Sequence, residues 1–191
     1  MLCSGDFDRI EAVGSEAKRS MDNQIHSRYP GEHQCFQMKN ERMYKMNQGV
    51  ISRAEKVIMS KTGYIGGGME GYCALALIDE DGYPSASTLS ISKADGIKRL
   101  TFLSGLESNK AKRIGKCNRG SVCVNSSKYN ITLVGTLEIL TDPDIKKEMW
   151  QEPLGSIYSG HDDPAYCVIR FSTKRYNIFF NDGESAAGIL G

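Results

Sequence analysis

A chain of 191 residues, 40% hydrophobic and 25% charged, is long enough to bury one core and short for two, which predicts one folded domain. Its formal net charge of +1, with no run of like charge, gives no electrostatic case for nucleic acid or an anionic membrane surface. No apolar run approaches a membrane span and the N-terminus lacks the basic and apolar regions of a secretion signal, so a cytosolic protein is expected. The six cysteines show no Cys-x-x-Cys and no metal-type pairing, which argues against a disulfide framework. Cys73, Cys123 and Cys167 lie in apolar runs and read as small reduced core residues. His26, His33 and Cys35 sit in a polar segment without the tight ligand pairs of a zinc site, and no metal is expected.

Residues 1–48 are polar, broken by Gly5, Gly14 and Tyr29-Pro30-Gly31, and carry no sustained apolar stripe. They read as an N-terminal arm that is either disordered or packed on a neighbouring subunit. Ser52-Arg53-Ala54-Glu55 has the form of a capping box and predicts a helix over 53–61, with Gly63 as its stop. The glycine cluster over 65–71 lacks the strand and helix that would flank a dinucleotide fingerprint, and reads as a flexible loop.

From Tyr72 the pattern changes to strands. The run 72–78, the turn Asp79-Glu80-Asp81-Gly82 and the run 84–93 predict a hairpin. In its second strand Ala86, Thr88, Ser90 and Ser92 share a face that is either solvated surface or the floor of a polar ligand site. A third strand over 98–104 leads into Gly105-Leu106-Glu107-Ser108-Asn109-Lys110 and a basic helix over 108–115. Here a strand ends in the hydroxyl of Ser104, Gly105 permits a turn, Ser108 can cap the helix and Lys110 falls in its first turn. Free N–H groups at a helix start carry about half a positive charge, so these groups together suit a phosphate.

Further strands are expected over 121–126, 130–140, 165–171 and 176–180, with Gly135 marking a bulge or a close approach by another backbone. Thr141-Asp142-Pro143 starts a third helix that ends near Trp150. His161, in a loop before Asp162-Asp163-Pro164, reads as a solvated or structural residue, and 182–191 as a small-residue tail. Six or seven strands in hairpins, with three helices and no regular β-α alternation, predict a mainly β fold: a six-stranded antiparallel Greek-key split barrel with peripheral helices over 49–181.

The order and spacing of four stretches resemble the FMN-binding split-barrel family related to pyridoxamine 5'-phosphate oxidase, in particular its general-stress-protein branch. The stretches are 73–84, Thr88 to Lys93, 103–110 and Asn130-Ile131-Thr132-Leu133-Val134-Gly135, followed by Gly160-His161-Asp162-Asp163-Pro164. The resemblance covers about residues 50–180. It implies FMN as cofactor, with Thr88, Leu89 and Ser90 along the flavin ring and Leu103 and Ser104 beside the ribityl phosphate. Ser108, Asn109 and Lys110 match the family's phosphate clamp and Asn130 matches a glutamine at the flavin edge. Asn109 stands where arginine is common, so one cationic fork is missing unless Lys112 or Arg113 replaces it. The resemblance further implies a homodimer with the cofactor at the subunit interface; Trp150 is either a residue given to the partner's site or a core tryptophan of its own helix.

The oxidases proper carry an arginine and a histidine near the C-terminus, and 170–180 has no matching pair, which argues against true pyridoxamine phosphate oxidase activity. What is implied is an FMN-dependent oxidoreductase moving electrons through the flavin to a small substrate. The alternatives are a flavin-binding stress-response module without turnover, or the same barrel holding haem or a deazaflavin.

Overall fold

The computed structural model describes residues 47–63 and 71–190. The expectations for the N-terminal arm up to residue 46, for His26, His33 and Cys35, and for the glycine-rich residues 65–70 lie outside them. Helix α1 spans 47–59. Its start corrects the capping-box expectation, because Ser52 falls inside the helix. Val50, Ala54 and Ile58 recur at four-residue spacing and are all buried, so packing carries the helix a full turn upstream of the local capping signal. Gly63, at φ 82°, ends the segment and donates its N–H to the Ile91 carbonyl at 3.1 Å.

Strands β1 (Tyr72–Ile78) and β2 (Pro84–Ser90) form the expected hairpin, in register from Tyr72 opposite Ser90 to Ile78 opposite Pro84. Asp79 shapes the turn by accepting the N–H groups of Asp81 and Tyr83 on Oδ1. The second strand, expected to run to residue 93, is interrupted at Ile91, whose side chain is buried and whose backbone pairs with Thr62 and Gly63 just past α1. A short β3 (Lys93–Asp95) resumes and pairs with β4 (Arg99–Gly105). Helix α2 (Asn109–Lys116), β5 (Arg119–Ser126), β6 (Tyr129–Leu140) and α3 (Pro143–Met149) follow. Asp142 caps α3 through the N–H groups of Asp144 and Ile145, with Pro143 at a position that needs no donor.

The last two expected strands are one, β7 (Tyr166–Phe180). The register between β6 and β7 slips between Val134 and Gly135, leaving Lys174 as the extra residue of a bulge. A Cβ on Gly135 would run into the Ser172 carbonyl, so both readings of that glycine, bulge and close backbone approach, apply. The residues read as a tail contain a further strand, β8 (Ser185–Ile189), paired with β7. Ala186 is buried, and Gly188 leaves room for the Tyr176 ring, whose hydroxyl lies 2.7 Å from where a Cβ would be.

The sheet order is β2-β1-β5-β6-β7-β4-β3, with β8 on β7, and every pairing between these strands is antiparallel. Its two ends, β2 and β3, are consecutive in the chain, so the sheet curls until they meet, and the Ser92 N–H reaches the Thr101 carbonyl at 2.9 Å. Strands β5, β6 and β7 form a meander beside which β4 lies, the Greek-key arrangement. Six long strands make the split barrel, and β3 and β8 are short additions. Leu75, Phe102, Val122, Leu133 and Phe171 fill the interior, and α1 adds Ala54 and Ile58. A second, smaller cluster of Met149, Leu154, Tyr166 and Val168 lies under α3. Among the described residues no helix is long and apolar enough to cross a membrane.

Candidate functional site

The chain from Phe102 to Ile114 forms the strand end, turn and helix start expected from its sequence. Along β4 the side chains of Leu100, Phe102 and Ser104 point to the buried side, and Ser104 ends that row with a hydroxyl. The chain turns at Gly105, and the Ser108 N–H closes the turn on the Gly105 carbonyl at 3.1 Å. Ser108 is then the N-cap of α2: its Oγ accepts the Ala111 N–H at 3.2 Å and lies 3.1 Å from the Ser104 Oγ. Ala111 and Ile114 bury the inner face of α2, which fixes where its N-terminus points. No acceptor among the described residues takes the N–H groups of Asn109 and Lys110. Two hydroxyls, two free amides and the half-buried Lys110 therefore meet within one helical turn.

Neither neighbouring cation is uncommitted. Lys112 pairs with Glu107 at 3.1 Å on the surface, and Arg113 donates to the Ser85 Oγ of β2 at 2.8 Å. The second contact ties the helix to the strand expected to lie along a ring. On that strand the three predicted residues separate: Leu89 packs against the core, while Thr88 and Ser90 stand on the outer face. Thr88 begins a row running straight across the sheet through Ala74, Cys123, Thr132 and Asn177. Asn130 joins this row, its Oδ1 accepting from Thr132 Oγ1 at 3.0 Å and from the Cys123 thiol at 3.8 Å. Cys123 is thus half-exposed on the outer face, a correction to its reading as core; Cys73 and Cys167 are buried, and burial pushes their thiols up to about 12 and about 11.

Leu103 and Trp150 meet in the outer cluster under α3. The Trp150 ring stands edge-on to Tyr166 with centroids 5.5 Å apart. Tyr158 also packs on Tyr166, with centroids 5.4 Å apart, and its hydroxyl covers Gly105, 2.9 Å from where a Cβ would stand. Burial raises the phenol of Tyr166 to about 12 and moves that of Tyr158 upward. Sequence reasoning missed Tyr158, Tyr166 and the buried Lys146 beside them, since only the fold brings 146–166 against the end of β4. Alternation within β7 puts Tyr166 on the face opposite Ile169 and Phe171, and nothing local marks it or its neighbours as buried under α3.

A polar cleft of about 160 Å³ opens between β3, β4, β7 and α3, lined by Lys93, Arg99, Thr101, Glu148 and Arg170 among others. Lys93 pairs across it with Glu148 at 2.6 Å, and Arg170 pairs with Glu138 outside the lining at 3.2 Å. The Lys93 ammonium holds the Glu148 carboxyl below its usual range. Thr101 is three residues, or about 10 Å, along β4 from Ser104, so this cleft is separate from the helix start, and none of the predicted site residues lines it.

Comparison with known proteins agrees with the fold. The family model described as pyridoxamine 5'-phosphate oxidase matches residues 69–179. A protein from Clostridium acetobutylicum related to general stress protein 26 superposes with a TM-score of 0.57 at 24% identity, over 71% of this chain and 96% of its own. A pyridoxamine 5'-phosphate oxidase-related, FMN-binding protein from Nostoc punctiforme gives 0.54 at 15% identity, over 75% and 95%. A haem-binding protein from Mycobacterium smegmatis gives 0.54 at 14%, over 71% and 56%. No curated protein matches the sequence. The family match spans more than half of the chain and includes every strand but the last, with β4, the turn at Gly105 and the α2 N-terminus inside it: the chain belongs to the pyridoxamine 5'-phosphate oxidase family.

Proposed function

We propose that this chain is an FMN-binding oxidoreductase of the general-stress-protein branch, active in the cytosol as a homodimer and passing electrons through the flavin to a small substrate. The observation that carries the reading is the meeting of Ser104 Oγ and Ser108 Oγ beside the free N–H groups of Asn109 and Lys110 at the start of α2, with Lys110 itself in the first turn. This donor set fits a phosphate monoester: it offers hydroxyl and amide donors, and the one carboxylate of the turn, Glu107, is paired with Lys112 at 3.1 Å. Asn109 leaves the clamp one guanidinium short, and neither Lys112 nor Arg113 is free to replace it. FMN is accordingly expected to bind reversibly and to respond to salt.

Bound flavin supplies the redox chemistry; the chain's own share is to hold and orient it. Thr88 and Ser90 offer backbone and small hydroxyls on an open sheet face, where a flat ring can lie without a bulky side chain in the way. The outward positions of β2, of β1 and of β5 from Ser121 to Asn125 carry no charged residue, and Phe179 and Ile189 stand exposed beyond them. Such a weakly polar face suits a second copy of the chain, which would enclose the ring between subunits.

The test is FMN titration of the purified chain against the Ser108→Ala/Lys110→Ala variant. The expected result is a loss of affinity of at least tenfold in the variant, and unchanged affinity would overturn the phosphate assignment. Anaerobic addition of NADH and NADPH separates turnover from sequestration, since a bound flavin that neither reduces belongs to a binding module. A haem-type absorption spectrum would favour the chemistry of the mycobacterial neighbour.

A further inference from the structure

The turn that carries the proposed phosphate site is held largely from outside. Beyond the closure of Ser108 on Gly105, its support comes from segment 157–166. Leu106 donates its N–H to the Ala165 carbonyl at 2.8 Å, and the Tyr158 hydroxyl lies over Gly105. This segment is in turn organised by one residue, Asp163. Its carboxylate accepts the Ser159 N–H at 2.8 Å, the Ser159 hydroxyl at 2.9 Å and the Ala165 N–H at 2.8 Å. Its carbonyl accepts the Lys146 ammonium at 2.7 Å. Lysines are rarely buried without a partner that offsets desolvation. Lys146 is only 6% exposed, with this carbonyl below it and the Tyr166 ring 5.6 Å away. The Tyr166 hydroxyl is buried with no hydrogen-bond partner among the described residues, so the carbonyl bond, and not the phenol, anchors the ammonium.

We propose that Asp163 and Lys146 are positioning residues for the phosphate turn. They act through Ala165 and Tyr158 to set the geometry from Gly105 to Ser108 and hence the aim of the α2 N-terminus. The proposal rests on the reading of that turn as the FMN phosphate site. Removal of the Asp163 carboxylate frees the N–H groups of Ser159 and Ala165, the Ala165 carbonyl shifts, and Leu106 loses its acceptor. The outer face of β2 takes no part in this relay, so the loss should fall on the phosphate and spare the ring.

FMN and riboflavin, which lacks the phosphate, form the discriminating pair. Their dissociation constants would be measured by flavin fluorescence on the full chain for wild type, Asp163→Ala, Asp163→Asn and Ser108→Ala/Lys110→Ala. Expected for Asp163→Ala is about a tenfold loss for FMN and less than twofold for riboflavin, with Asp163→Asn, which keeps one acceptor, in between. Wild-type FMN affinity in Asp163→Ala, or equal losses for both flavins in a folded variant, would overturn the proposal. Should Asp163→Ala fail to fold, Asp163→Asn is read by the same ratio, and no selective loss there overturns it too. If wild type does not prefer FMN to riboflavin, or the Ser108/Lys110 variant loses nothing, the phosphate site itself fails and the proposal with it. A positioning failure alone leaves that preference and that loss in place.

Discussion

Ser108 does two things with one oxygen: it caps α2 and it stands beside the hydroxyl of Ser104. Replacement of an N-cap serine by alanine costs about 1 kcal/mol of stability, so any larger effect on FMN affinity than on folding reports ligand contact. Carboxylates nearby and across the molecule give the fold an acid-sensitive edge. Backbone donors from Ser159 and Ala165 hold Asp163 below its ordinary 3.8. The Arg53 guanidinium, 2.6 Å from Asp182, does the same there. Their folded-state values lie below the unfolded ones, so their contribution is complete above the unfolded value and is lost as pH falls through the folded one. Denaturant unfolding should show stability declining below about pH 4, and the Asp163→Asn/Asp182→Asn variant should show a flatter profile there. Equal slopes for the two proteins would contradict the assignment.

Among the elements, the β6–β7 pair imposes the tightest steric demand. Gly135 faces the bulge in β7 so closely that a methyl group has nowhere to go. Gly135→Ala is expected to destabilise the fold by roughly 1–3 kcal/mol in urea melts, the usual scale for overpacking, whereas Gly155→Ala, which meets nothing within 4 Å, should be close to neutral. The same elements show what could be read beforehand. Gly135 was legible because a lone glycine amid Ile131, Leu133 and Leu137 has few explanations in a strand. Ser104, Ser108 and Lys110 were legible because a strand end, a turn and a cap lie next to one another in the chain. The start of α1 was not, since the burial of Val50 overrides the local Ser52–Glu55 pattern. Strand β8 was hidden because Ala186 and Gly188 serve β7 through size alone, and size leaves no period to detect. Asp163, Lys146 and Tyr158 were invisible for a third reason: their contacts with the turn cross a long stretch of sequence, and Asp162-Asp163-Pro164 reads locally as ordinary turn chemistry.

For the whole molecule, the curled sheet buries one face around Phe102 and Phe171, and on β1, β2 and residues 121–125 of β5 its other face is uncharged and mostly small-residued. This uncharged stretch, beside exposed Phe179 and Ile189, is expected to be covered in solution. Light scattering after gel filtration should give twice the chain mass. Ala76→Arg, which puts a charge at an outward position of β1 outside the proposed flavin contacts, should shift the protein to monomer and weaken FMN binding along with it. A wild-type monomer that still binds FMN tightly would remove the second subunit from the site. If the turn from Ser104 to Lys110 holds the phosphate of a flavin, FMN titration of the wild-type chain, followed by flavin absorbance and fluorescence, must show it. Saturable uptake of one FMN per chain, tighter than riboflavin, is expected; no uptake of FMN, or equal affinity for riboflavin, would rule that site out.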